Sequence, residues 1–487
     1  MKRNLFLGAV LLWILTLLWP PGSFAAEEVG LDRYLEMVKE GNHTLQSGIR
    51  SVEAAYYGVL ASVAPQRPSV TLSGSASYVT DQKTEEKHNR NTMVYNTALS
   101  LTQRIDISGT NTLDEQQQIL SYERQRAEFD SNVNTLVAAA EENYWSAVLA
   151  RENIALQKDV LRQRRENSRV TEEKYKQQLV PKLDLIRAEA QVVAAESLVT
   201  EAEALYRNRL ATLTALTGAN GGDVVPVEEP LFVPTFDVSV SLEKALLFRP
   251  DVRASRLALE RSKILKKLAA KGMSPTLTGT IRWTPWAEPW NSSSPQDGEL
   301  GGSLSLNIPL LDGNATKYGA LNMDRLVQAA EASLRSAESA ADVDLKVARN
   351  NWEKAAALEQ DKKRQVERSD EELRITELMY NEGMGAQIDL INAQTENQRV
   401  RTDYLNAIQG MYIALVDLRK AVGDYSPDEN GTWKEAVVKY GKGTATAKEL
   451  KKQELRDQKD ASNENKSAEK HNTPQKGLPK NKKQMKK

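Results

Sequence analysis

Apolar residues recur along this chain with two different periods. At Val133, Leu136, Ala140, Tyr144 and Val148 the spacing is three or four, which places them on one face of a helix. In Pro275-Thr-Leu277-Thr-Gly279-Thr-Ile281-Arg-Trp283 apolar or small residues alternate with polar ones, the period of a strand with two unlike faces. The same alternation runs through 70–78, 95–102 and 300–308. Four strands of about 9–11 residues are therefore expected, a length that crosses a bilayer at a tilt. They come as two pairs, each joined by a polar loop, at 81–91 and 285–297. The helical period predicts one stretch from 31 to near 64 and another from 242 to near 271. Two very long helices are expected at 112–179 and 315–382, and shorter ones at 183–217 and 388–422. At 1.5 Å per residue a helix of ~68 residues is ~100 Å long and the shorter ones are about half that. One long helix can thus pair with two short ones set end to end. The expected result is a rod of helices with a strand hairpin at one end and a helical turn at the other.

The order of elements is duplicated. Tyr175, Asp184, Leu185, Ile186 and Ala188 match Tyr380, Asp389, Leu390, Ile391 and Ala393 at an offset of 205 without a gap. The same register pairs Leu210 with Leu415, Leu213 with Leu418 and Gly218 with Gly423. Earlier, Leu31-Asp32-Arg33-Tyr34-Leu35 resembles Leu242-Glu243-Lys244-Ala245-Leu246, and Pro68 and Pro275 each precede a strand pair. Each copy reads helix, strand, strand, long helix, helix.

Composition narrows the class. Of 487 residues 40% are hydrophobic but only 6% aromatic, thin for a thick globular core and suited to long helices. The absence of cysteine excludes disulfides, thiol nucleophiles, Cys-based zinc sites and a lipidated N-terminal Cys. The three histidines, His43, His88 and His471, show no ligand spacing, so neither a metal nor another cofactor is expected. No phosphate loop, nucleophile elbow or paired His/Glu zinc motif is present, and Gly441-Lys-Gly443-Thr is too short a match, so the chain does not read as an enzyme. Lys2, Arg3, the apolar run 5–19 and Ser23-Phe24-Ala25 read as a cleaved signal peptide at 1–25, because a run of about 15 residues is too short to span a bilayer. No run of ~18 apolar residues follows, so a place in a membrane requires a β-barrel. The net charge of -1 conceals roughly +7 on residues 448–487 and roughly -10 on the body. The basic stretch 430–487 is expected to be a disordered tail, either simply solvated or bound to anionic envelope polymers, and nucleic acid is not an expected partner of an exported chain.

Four strands cannot close a transmembrane barrel, since single-chain barrels begin at about eight strands. An open edge cannot sit in lipid. Several chains must share one barrel, and a cyclic oligomer does this; three chains give about twelve strands. Thr71, Ser73, Ser75, Ser77, Thr276, Thr278, Thr280, Arg282, Ser303, Ser305 and Asn307 then line water while the opposite faces meet lipid. Trp283, Trp286 and Trp290 fit an interfacial girdle or an outer loop.

As an ordered set, the leader, the duplicated element order and the paired Tyr…Asp-Leu-Ile-x-Ala segments closing on Gly218 and Gly423 resemble the TolC outer-membrane efflux protein family over roughly 28–424. The resemblance implies a mostly α fold with a small β part, a trimeric α-helical barrel joined to a shared 12-strand transmembrane β-barrel. It divides the chain into a first repeat at 28–220, a linker at 221–240 and a second repeat at 241–424. It implies the outer-membrane channel of a tripartite efflux or type I secretion system. This would be a passive homotrimeric duct reaching into the periplasm, docked to a periplasmic membrane-fusion (adaptor) protein and an inner-membrane transporter.

By the same resemblance Gln178-Leu179-Val180-Pro181 and Gly383-Met384-Gly385-Ala386 are the periplasmic tips. Leu179, Val180, Gly383 and Met384 either contact the adaptor or merely cap helical hairpins. The family's glycine is kept at Gly383 and replaced by Gln178 in the first copy. Asp389, Asn392 and Tyr380 are the candidate entrance constriction. Three Asp389 carboxylates around a three-fold axis would attract cations, whereas a solvated aspartate at a helix start serves as well without a ring. Tyr380 either braces the closed tip against a neighbouring helix or packs with its hydroxyl satisfied. A rival reading remains, a soluble periplasmic coiled-coil adaptor or structural protein whose strands form a sandwich. The cargo is not legible.

Overall fold

The computed structural model describes residues 27–80, 91–218, 224–227, 242–289 and 299–425. The expected leader at 1–25, most of both strand-joining loops, most of the linker and the basic tail lie outside them. In order come β1 (Glu27–Val29), α1 (Leu31–Gly41), α2 (His43–Val63), β2 (Ser69–Thr80), β3 (Asn91–Ile105), α3 (Thr110–Lys176) and α4 (Lys182–Thr217). Then follow β4 (Val224–Pro226), α5 (Leu242–Phe248), α6 (Pro250–Ala269), β5 (Thr276–Pro289), β6 (Glu299–Asn307), α7 (Ala315–Asn381) and α8 (Gln387–Val422). The long helices α3 and α7 have 67 residues each, and α4 and α8 have 36 each, so the two copies agree in length.

The opening helix of each copy differs from expectation, because it is broken. Asn42 interrupts the first: its Oδ1 accepts from the backbone N–H groups of Thr44 (2.9 Å) and Leu45 (3.3 Å), which caps α2 and ends α1. Pro250 interrupts the second, since it has no N–H to continue α5 but suits the first position of α6.

The described residues fall into two compact units, and α3 and α7 contribute to each. One unit holds residues 52–123 and 257–330 and carries the sheet. The expected separate strand pairs join there into one antiparallel sheet of order β2-β3-β5-β6. The strands are 12, 15, 14 and 9 residues long, mostly longer than expected. The second loop was expected to begin at Pro285, yet β5 continues to Pro289. A bulge makes this compatible with proline: Trp283 pairs with Leu99 and Trp286 with Thr97, so Thr284 and Pro285 together oppose Ala98.

Directly paired residues share a face. One face carries the rows Leu72–Leu99–Trp283–Leu300 and Val70–Leu101–Ile281–Gly302, then Gly279–Leu304 and Ile105–Leu277–Leu306. The other carries Thr71–Ser100–Arg282–Gly301, Ser69–Thr102–Thr280–Ser303 and Arg104–Thr278–Ser305. The apolar face is not covered as a sandwich would cover it: Val70, Leu72, Ile281, Trp283, Leu300, Leu304 and Leu306 are all exposed. Trp283 stands on this face; the side chain of Trp286 and all of Trp290 lie outside the described set.

The other unit comprises 27–51, 124–256 and 331–425 of the described residues. Its core packs Tyr34, Val38, Tyr144, Trp145, Leu213 and Tyr412. Trp145 stacks on Tyr412 with ring centres 3.9 Å apart, and the Tyr144 hydroxyl donates to the Val29 carbonyl (3.2 Å) beside the parallel pair β1–β4. Glu141 is buried and fully engaged, accepting from Arg419 Nη1 at 3.1 and 3.2 Å and from the Tyr425 hydroxyl at 2.6 Å. Such a carboxylate tolerates burial only with these partners.

In each copy the end of the shorter helix meets the break in the opening helix. Gly218 caps α4 with φ +63°, and a Cβ there would stand 2.2 Å from the Gly41 carbonyl oxygen. Gly423 caps α8 with φ +86°, and its Cβ would stand 3.2 Å from the Phe248 carbonyl oxygen. Gly218→Ala should therefore lower stability by about 2 kcal/mol or more. Gly58→Ala, in open space within α2, should be neutral or raise it by up to about 1 kcal/mol. Thermal unfolding of the detergent-extracted protein, followed by helical circular dichroism, distinguishes them; equal losses would mean that the close approach is not what requires glycine.

Candidate functional site at the helical turns

Both long helices end in the same backbone motif. At the first turn the N–H of Gln178 bonds the Tyr175 carbonyl (2.8 Å) and that of Leu179 bonds the Lys174 carbonyl (2.9 Å). At the second, Gly383 bonds Tyr380 (3.2 Å) and Met384 bonds Met379 (2.8 Å). This is the Schellman arrangement, which needs a left-handed residue just past the helix. Gly383 supplies it with φ +77°, and Gln178 adopts it too, with φ +60°. The glycine missing from the first copy thus changes the residue but not the turn. A side chain held there costs about 1 kcal/mol.

The turns project apolar side chains. Leu179 is 68% exposed and Met384 70%, while Val180 is half-buried and Gly383 exposed. The following helices begin at Lys182 and Gln387, and each has an aspartate in its first turn, Asp184 and Asp389, where the helix dipole favours a carboxylate. Asp389 and Asn392 stand nearly one turn apart on α8, and both are exposed.

Tyr380 is set apart from them by burial, at 3% exposure, among Leu373, Leu390 and Ala393, with Val170 of α3 packed against the group. Its hydroxyl meets Thr171 Oγ1 at 3.0 Å, and Thr171 lies 3.2 Å from Gln387 Oε1. The single hydroxyl proton of Thr171 is directed to the amide oxygen, which can only accept, so Tyr380 donates to Thr171. Lys174 donates to the Tyr380 carbonyl and places its ammonium 4.0 Å from the ring centre. Burial is the main reason the Tyr380 hydroxyl is pushed above its ordinary pKa. The hydroxyl is thus satisfied, and its partner is on the other long helix.

Sequence reasoning missed a second buried contact nearby. Arg164 donates to Gln394 Oε1 (2.7 Å) and Thr395 Oγ1 (3.0 Å), and desolvation lowers its pKa. Neither Gln394 nor Thr395 is repeated in the first copy, where Glu189 and Ala190 stand, so the repeat gave no signal for it.

Two outcomes follow. Gln178→Gly should raise thermal stability by about 0.5–1 kcal/mol, and Gly383→Gln should lower it by a similar amount. Thr171→Val should cost about 1–3 kcal/mol by orphaning the Tyr380 hydroxyl, whereas Thr171→Ser should restore most of it. Denaturation midpoints of the purified protein check both.

The outer membrane efflux protein family matches residues 34–219 and 241–424, the two copies in turn. Nodulation protein T of Rhizobium leguminosarum bv. trifolii is 24% identical over 420 residues, covering 82% of this chain and 86% of that protein. The fold is shared with the outer-membrane channel OprN at a TM-score of 0.72, with 19% identity over 84% of this chain and 95% of that one. It is also shared with the open state of the Neisseria gonorrhoeae MtrE outer membrane channel, at 0.68, with 20% identity over 83% and 93%. Matched through both halves of its sequence, the chain belongs to the outer membrane efflux protein family.

Proposed function

We propose that this chain is the passive exit duct of a tripartite efflux or type I secretion system, a homotrimer whose strands share one outer-membrane barrel. The observation that carries the reading is the four-stranded sheet with an exposed apolar face, a hydroxyl-rich opposite face and edge strands β2 and β6 that pair with nothing further among the described residues. Backbone groups on those edges need partners in lipid, and a second and third copy provide them.

The duplication supports a ring in the helical unit as well. Within one chain, Val170 and Thr171 of the first repeat meet Tyr380, Leu390 and Ala393 of the second. Shifted by 205, the counterparts are Ile375 and Thr376 on one side and Tyr175, Leu185 and Ala188 on the other. This second set is more open: Ile375 and Tyr175 are exposed and Leu185 and Thr376 half-buried, with only Ala188 buried, and the neighbouring Ile186 is exposed where its counterpart Ile391 is buried. Charge complementarity is kept with the signs exchanged. Arg401 lies 3.8 Å from Asp159 within the chain, and the shifted positions are Glu196 and Arg364, which in the single chain pair locally with Arg165 and Asp361 at the exposed surface. Two unlike faces join head to tail, and such contacts close into a ring when the rotation per copy divides a full turn, as the shared barrel requires.

In this reading Leu179, Val180, Gly383 and Met384 are the tip that an adaptor covers, and Asp389 with Asn392 forms a cation-attracting entrance, while Tyr380 tethers α7 to α3. The inner-membrane pump supplies the energy and chooses the cargo.

The test combines oligomeric mass with planar-bilayer conductance. A trimer giving small cation-selective steps is expected, and Asp389→Asn should reduce the preference for potassium over chloride by about twofold or more. Tyr175→Cys with Thr376→Cys, in a chain that has no other cysteine, should link copy to copy with a long-armed bismaleimide, since a contact made through a tyrosine hydroxyl leaves the two backbones too far apart for a disulfide. A monomer that neither inserts nor crosslinks would sink the reading in favour of a soluble rod.

A further inference from the structure

The hydroxyl face of the sheet is not neutral. The four strands of this sheet carry four residues charged at neutral pH, Arg104, Arg282, Glu288 and Glu299. The pairing register puts both arginines on the hydroxyl face. Arg282 sits in the row Thr71–Ser100–Arg282–Gly301, and Arg104 in the row Arg104–Thr278–Ser305. Both side chains are exposed. Arg282 faces Gly301, where a Cβ would meet nothing within 4 Å, so its guanidinium has open space on that side. Glu299 pairs with Thr284 on the same face, two residues beyond the Arg282–Gly301 pair at the loop end of β6; it forms no ion pair with Arg282 and bounds the band on that side. Glu288 pairs with Tyr95, farther toward the same loop. Asp106, just past β3, is committed to the start of α3, where its carboxylate accepts from the N–H groups of Thr110, Asn111 and Thr112.

We infer that Arg104 and Arg282 form a cationic band in the barrel lumen that favours anionic solutes, specifically those bearing carboxylate or phosphate groups. The inference rests on the shared-barrel reading. The apolar face must meet lipid, so the hydroxyl face is turned to the water inside, and three copies place six guanidiniums there. The two rows are four residues apart along β5, or about 13 Å. An ionisable side chain within a membrane span is costly to keep, and lumen charges set pore selectivity. Rings of Arg select for anions and phosphate, and the planar guanidinium matches an oxyanion with two parallel hydrogen bonds. The band is opposite in sign to the proposed Asp389 entrance, so the preference of the whole duct is a balance between the two.

The experiment is reversal potential in planar bilayers under gradients of potassium chloride and of potassium phosphate. It is made in the Asp389→Asn background, which removes the carboxylates of the proposed entrance and leaves Glu299 constant across the variants compared. Arg104→Gln with Arg282→Gln should lower the permeability of both anions relative to potassium by about twofold or more at ~0.1 M salt. The effect should vanish near 1 M, where screening shortens to about 3 Å. Arg104→Lys with Arg282→Lys, which keeps the charge, should hold the chloride ratio but lose part of the phosphate preference. Inserted channels whose anion ratios are the same with Arg or Gln at both positions would overturn the band while leaving the duct intact. Chains that form no channel at all would overturn the duct and the band together.

Discussion

Unpaired backbone on the edges of a four-stranded sheet is the constraint from which the rest of this protein follows. Within the described chain β2 and β6 pair on one side only, and the sheet between them has an exposed apolar face. In water such a sheet would bury that face, and in lipid it cannot leave its edges open. The two demands are met together when copies of the chain complete one another's sheet. The helical unit reaches the same conclusion by another route, because each repeat has two unlike packing faces and one chain can mate only one of each. Backbone satisfaction and side-chain packing are independent forces, and the proposed ring would serve both.

The turns show how closely two copies of one design can agree when their sequences do not. Gly383 and Gln178 take the same left-handed conformation because the bonds around it, from two N–H groups to two carbonyls of the last helical turn, fix the backbone. Glycine suits that position, but the motif does not demand it if the chain can carry about 1 kcal/mol of strain. Where the copies do diverge is burial. Tyr380 is locked between helices, while its counterpart Tyr175 is left 37% exposed. The divergence lies in what covers each ring: Val170 and Thr171 of α3 pack on the Tyr380 side, while Tyr175 stays open at the corresponding place.

Charge is distributed on the same logic. Ion pairs along the helix surfaces, such as Arg169 between Glu166 and Glu173, are local and exposed and add little each. The charges with structural or functional weight are those whose surroundings restrict them. Glu141 is held by Arg419 and Tyr425, Arg164 by two side chains of α8, and the strand arginines by the face on which the register leaves them.

Periodicity alone determined most of the architecture. The long and short helices fall within three residues of where spacing of three and four put them, and the repeat was readable from Tyr175, Asp184 and Ala188 against Tyr380, Asp389 and Ala393. The strands were legible from alternation, because one face of each had to differ from the other. Only the tertiary structure decided how those pieces meet. Alternation says which residues share a face of one strand but not which strand lies next to it, so the β3–β5 pairing that merges two hairpins into one sheet was invisible. So was the bulge that carries β5 through Pro285, since proline in a sequence reads as an end. The bonds of Tyr380 to Thr171 and of Arg164 to Gln394 join residues more than 200 positions apart, and no local pattern records such a contact. Sequence sets what each segment can bury; packing of distant segments sets which partner buries it.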